Sequence, residues 1–90
     1  MKVGVSAVCT IRLFAGAASI VGSSSILIDE DDVSGCSTIG DLIKVLCRLH
    51  PELLALSSRS KWVVDCTFVD LHHDLTLPIE LAMIPPVSGG

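Results

Sequence analysis

The chain closes on Ile84-Pro85-Pro86-Val87-Ser88-Gly89-Gly90, and this terminus is its best candidate reagent. A carboxylate resists nucleophiles, but an acyl adenylate formed on it loses AMP to a sulfur donor and leaves a thiocarboxylate. Glycine suits that exchange. Its unbranched acyl carbon is open to attack, and Gly89 and Gly90 carry no side chain to block a narrow partner channel. Residues after Pro86 reach about 13 Å at about 3.3 Å each. A Gly-Gly end by itself also fits an ordinary terminus, so the residues upstream must decide.

Other residues able to do chemistry are sparse. His72-His73-Asp74 has the makings of an acid/base dyad, yet no nucleophile or ligand stands at a readable spacing from it, and a polar turn accounts for it. Cys9, Cys36, Cys47 and Cys66 show no C-x-x-C spacing, and with His50, His72 and His73 they form no zinc pattern. Reduced thiols are the expectation, Cys9 on a core parity, Cys47 beside a helix stripe, Cys66 at a strand end, and Cys36 the one good exposed candidate. Asp29-Glu30-Asp31-Asp32 lacks the alternating ligands and closing Glu of a calcium loop and reads as a solvated loop. No metal site is therefore expected.

The elements that must position the terminus follow from periodicity. Val3, Val5, Ala7, Cys9, Ile11 and Leu13 share one parity and Lys2, Gly4, Ser6, Thr10 and Arg12 the other, which predicts a first strand ending near Phe14. Ala15 to Val21 predicts a short helix or turn, broken by Gly22-Ser23-Ser24, and Ser25 to Ile28 a second strand antiparallel to the first. Thr38 opens the clearest helix with Asp41 three residues on as a capping-box variant and Ile39, Leu42, Ile43, Leu46 and Leu49 on one stripe. Pro51 ends it, and Leu53, Leu54 and Leu56 are expected to add core contacts. Trp62 to Val64, Phe68-Val69 and Glu80 to Ile84 predict three further strands, after which Pro85-Pro86 stops any ladder. Strands interrupted by one long helix indicate an α+β roll, a mixed sheet packed on one main helix, with residues 1–86 as the domain and 87–90 as a flexible tail.

Composition narrows the partners. The 90 residues carry 6 Lys+Arg against 10 Asp+Glu, a net charge of -4, and the cations are scattered, so a nucleic-acid reader is not expected. A hydrophobic fraction of 50% and a mean hydropathy of +0.69 exclude a disordered coil. Lys2 and the following apolar stretch imitate a signal peptide, but Thr10 and Arg12 interrupt it. The next uncharged run, Leu13 to Ile28, is serine-broken and too short to span a membrane. A cytoplasmic location is expected.

With these residues in place, the chain resembles the molybdopterin synthase small subunits, ubiquitin-like β-grasp sulfur carriers of the MoaD type. The resemblance is strongest from Val64 to Gly90, where Val64, Thr67, Val69, Leu75-Thr76, Glu80 and the Pro85-Pro86-Val87-Ser88-Gly89-Gly90 ending follow the family's order. Ile11 to Gly22 is similar to its first strand and short helix, and His50-Pro51 to the helix end of some members. Ala17-Ala18-Ser19, Asp65 and Leu77-Pro78-Ile79 depart from the usual charged helix, Asn and polar turn. The resemblance implies that an E1-like enzyme adenylates Gly90 with ATP and has it sulfurated to a thiocarboxylate. It implies further that the tail of Val87, Ser88, Gly89 and Gly90 enters the large synthase subunit, in a heterotetramer, to pass sulfur to a cyclic pterin precursor of the molybdenum cofactor. No cofactor is bound permanently on this expectation; the adenylate and the covalent sulfur at Gly90 are transient. The chain would then be no enzyme on its own.

The parity of the strands independently suggests a partner face. Phe14 falls with Thr10 and Arg12, opposite Ile11 and Leu13, and Ile84 falls with Glu80 and Ala82, opposite Leu81 and Met83. With Phe68 these positions resemble apolar contacts of the family. Two other readings stay open, a carrier of sulfur for thiamin or tRNA, and a ubiquitin-like modifier joined to target lysines.

Overall fold

The computed structural model describes residues 7–86. Strand β1 (Ala7–Leu13) leads into helix α1 (Ala15–Val21), then β2 (Ser25–Asp29), the main helix α2 (Ile39–Leu49), a 3-10 turn (Pro51–Leu53), α3 (Leu54–Ser57), β3 (Lys61–Val64), β4 (Thr67–Val69) and β5 (Ile79–Ile84). The five strands make one sheet in the order β2-β1-β5-β3-β4. β1 and β5 pair in parallel at its centre, and the β1–β2, β3–β4 and β3–β5 pairs are antiparallel. This is the mixed sheet on one main helix that the sequence predicts, a ubiquitin-like β-grasp.

The helices obey local rules. Gly22 closes α1 in the left-handed region at φ 82, where a Cβ is unfavourable, and its N–H donates to the Ala18 carbonyl. Thr38 and Asp41 form the expected capping box at the start of α2. Thr38 Oγ1 accepts the Asp41 N–H, and Asp41 Oδ2 accepts the N–H groups of Thr38 and Ser37. The loop before β5 satisfies two more helix-terminal amides: the Ile39 and Gly40 N–H groups donate to the carbonyls of His73 and Leu71. The approach is close at Gly40, where a Cβ would lie 3.1 Å from the Leu71 oxygen and the loop would have to give by a few tenths of an ångström.

Ile39, Leu42, Val45 and Leu46 of α2 meet Ile11, Leu13, Ile26, Ile28, Leu81 and Met83 of the sheet in a continuous core. Three expectations need correction. Leu54 contributes nothing to this core: the 3-10 turn after Pro51 puts Leu53 inside and swings Leu54 out, 62% exposed. On α2 the buried face is Ile39, Leu42, Val45 and Leu46, while Ile43 is half-buried and Leu49 exposed. The thiols also rank differently from the expectation. Cys66, not Cys36, is the exposed one, because it occupies the tip of the two-residue β3–β4 turn while Cys36 packs against the core.

Candidate functional site

Alternation along the strands sends every second side chain to the sheet face opposite α2, and the register then decides which of them become neighbours. On that outward face Phe68 pairs with Val63, Val63 with Ala82, Ala82 with Arg12 and Arg12 with Ser25. One register step away Ile84 pairs with Lys61. Leu13 pairs with Met83, so Phe14 leaves β1 level with Ile84. Phe14, Phe68 and Ile84 thus lie on the same face, joined through Val63 and Ala82. Phe68 is 68% exposed, Phe14 44%, and Ile84 is half-buried between its neighbours.

The small Ala82 side chain leaves a shallow depression of about 400 Å³ lined by Arg12, Phe14, Val63, Asp65, Cys66, Glu80 and Ala82. Its polar margin is ordered by an ion pair between Arg12 Nη1 and Glu80 Oε2 at 2.9 Å, diagonal across β1 and β5. Both partners are more than half-solvated or nearly so, so the pair sets direction rather than stability. Asp65 and Cys66 sit at φ 49 and 63, the conformation of a type I′ hairpin turn, which brings both to the rim of the depression.

The Cys9 and Cys36 thiols have no reactive setting. Burial, with Cys36 nearby as a lesser cause, pushes Cys9 up to about 11, and burial followed by Asp41 raises Cys36. The Cys47 thiol donates to Ser57 Oγ at 3.3 Å. His72-His73-Asp74 is a structural turn: the His72 N–H donates to Asp70 Oδ1, and Asp74 bridges to Thr38. In the acidic loop the Asp32 N–H donates to Asp29 Oδ1 at 3.1 Å. Among the described residues no group of three or more His, Cys, Asp or Glu side chains could hold a metal ion. No described helix is long and apolar enough to cross a membrane.

β5 is the central delivery element. It runs between β1 and β3, ends at Ile84 beside the apolar face, and passes to a buried Pro85 and an exposed Pro86. Val87, Ser88, Gly89 and Gly90 lie outside the described residues. Sequence parity turned Phe14, Ala82 and Ile84 outward; it left out Val63 and Lys61, which reach the same face through pairing with β5, distant in sequence.

Residues 11–90 match the ThiS family. The chain is 33% identical over 84 residues to the molybdopterin synthase sulfur carrier subunit of Dictyostelium discoideum, covering 89% of this chain and 93% of that one. Its structure superposes on SAMP1 from Haloferax volcanii with a TM-score of 0.78 at 28% identity, over 92% of this chain and 99% of the other. The small archaeal modifier protein 1 of Methanosarcina acetivorans shares the fold, with a TM-score of 0.71 at 17% identity over 93% and 97% of the two chains.

Proposed function

The chain belongs to the ThiS family, and on that premise we propose that it is the sulfur carrier subunit of a molybdopterin synthase, with Gly90 as the carrier atom's site. The observation that carries the reading is the end of β5: a proline pair and a Gly-Gly terminus start from the border of an outward apolar patch built by Phe14, Phe68 and Ile84. The name of the Dictyostelium relative supports the same assignment.

In the proposed cycle an E1-like enzyme lets a Gly90 carboxylate oxygen attack the α-phosphorus of ATP, with pyrophosphate leaving. A donor at the oxidation level of hydrosulfide then adds to the acyl carbon and AMP departs, leaving the thiocarboxylate. The rest of the chain holds and aims. The apolar patch binds the large subunit, the Arg12–Glu80 pair orients the approach, and the side-chain-free glycines enter the pocket where a cyclic pterin precursor takes the sulfur. ATP and sulfur are transient on this reading, and the domain catalyses nothing alone. The intact mass of the protein recovered from its own cells tests the proposal. Oxygen-to-sulfur exchange at the terminus supports it, and a terminus that is never sulfurated in cells making the cofactor refutes it.

The likeness to SAMP1 favours a second reading, a ubiquitin-like modifier joined through Gly90 to lysines of other proteins. Ladders of conjugates that vanish when Gly90 is deleted would establish it. Sulfur delivery to thiamin or tRNA uses the same terminus and is separated from the leading reading by which pathway fails when the chain is removed.

A further inference from the structure

The outward face reaches beyond the depression and is polarised along the strands. Leu27 pairs with Thr10 and Thr10 with Glu80, so a further apolar side chain joins the face at the β2 edge, where Leu27 is 67% exposed. The end of the face where β5 stops holds Phe14, Ile84 and Lys61, and the opposite end holds Leu27, Glu80 and Asp65. Charge divides the same way. Lys61 shares the register position of Ile84 and faces outward at one end, while Asp65 follows β3 at the other. Among the described residues neither takes part in an ion pair, whereas Arg12 and Glu80 already hold each other. Phe68, Val63 and Ala82 lie between the two ends.

Such a face complements itself. Two sheets pack face to face with their strands within about 30° of one another, which leaves two twofold arrangements. An axis along the strands sets like end on like end, so that cation meets cation and carboxylate meets carboxylate. An axis across the strands reverses one copy. Lys61 of each copy then comes opposite Asp65 of the other, Phe14 comes opposite the Leu27 end, and Phe68 and Val63 meet their own equivalents near the axis. Glu80, which comes opposite Ile84, is already neutralised by Arg12. We propose that the free protein forms a dimer in this second arrangement, each copy covering the outward face of the other. At about 3.3 Å of rise per residue and about 4.8 Å between strands, the five strands present a face of roughly 400 Å². Two such faces bury roughly 800 Å² of flat area, below the about 1,200 Å² of a stable complex. The dimer is therefore weak, and a tighter partner displaces the second copy from the same face. This goes beyond the carrier reading and is tested on the protein alone, so either can fail without the other.

Sedimentation of the full chain between about 10 μM and about 1 mM should show monomer giving way to dimer. About 0.15 M salt suits the measurement, because it screens the net charge of -4 on each copy beyond about 8 Å and leaves facing pairs in force. Lys61→Glu and Asp65→Lys should each weaken self-association by about tenfold or more, since each sets like charges opposite one another at two symmetric places. An equimolar mixture of the two variants should recover the dimer, because every facing pair is then of opposite sign. Lys61→Glu decides alone if Asp65→Lys, at a φ of 49, does not fold. Amide resonances that move on dilution should centre on Val63, Phe68 and Ala82. A monomer over the whole range would overturn the proposal. So would a dimer indifferent to Lys61→Glu, or dilution shifts confined to the helix side of the sheet.

Discussion

Docking of the outward face should depend on its aromatic side chains in an order set by how much surface each still has to hide. A phenylalanine buries about 200 Å² when fully enclosed. Phe68 is 68% exposed and Phe14 44%, so full docking would remove about 135 Å² and about 90 Å² respectively. At about 25 cal/mol per Å² the corresponding stabilisations are about 3 and about 2 kcal/mol, upper bounds because docking need not enclose either ring completely. Phe68→Ala is therefore expected to weaken binding of the large subunit by up to about 150-fold, and Phe14→Ala by up to about 30-fold. Phe68→Ala should lower the stability of the free domain less than Phe14→Ala, since about a third of the Phe68 surface but over half of the Phe14 surface is already covered in the fold. Isothermal titration of each variant against the large subunit, with denaturant unfolding of the free protein, measures both quantities. Unchanged affinity for both variants would remove this face from the interface. An inverted order, with Phe14 dominant, would show that exposure does not set the contribution and that the docked centre lies at the β1 end.

Four further outcomes are expected. Removing Gly90, or adding one residue after it, should abolish sulfur transfer while leaving the fold intact, because the reacting carbon moves by about 3.3–3.6 Å; single-turnover product formation checks this. Cys66→Gly should stabilise the domain by about 0.5–1 kcal/mol in urea unfolding, since Cys66 holds a φ of 63 that glycine adopts freely. A variant with Cys9→Ala, Cys36→Ser, Cys47→Ser and Cys66→Gly, supplied as the ligated thiocarboxylate, should still deliver sulfur; a folded, binding variant that delivers none would place a cysteine in the chemistry. Hydrogen bonds from the Ser37 and Thr38 backbones hold the Asp41 carboxyl below its usual range. Its contribution is therefore present above the unfolded value of about 3.9 and lost as pH falls through the folded one, so Asp41→Asn should flatten the acid limb of the stability profile.

The readable parts of this protein were those whose causes are local. Thr38 and Asp41 are three residues apart, so the cap of α2 is written in adjacent positions, and it forms as the spacing predicts. The parity that turns Phe14 and Ile84 away from Leu13 and Met83 is likewise a property of single strands, and the terminal Pro-Pro-Val-Ser-Gly-Gly is legible with no fold at all. Leu54 marks the limit even of local reading, because a 3-10 turn rotates successive side chains by a different angle from an α-helix, and apolar character cannot say which geometry follows a proline. Cys66 shows it again: the end of a strand became the tip of a two-residue hairpin once β4 paired with β3. Only the tertiary structure could assemble the patch. Val63 meets Phe68 across a turn but meets Ala82 across 19 positions, and Arg12 meets Glu80 across 68. Strand order and register are long-range choices, settled by which arrangement lets α2 and both central strands bury their apolar faces together, and no single window of sequence contains that comparison.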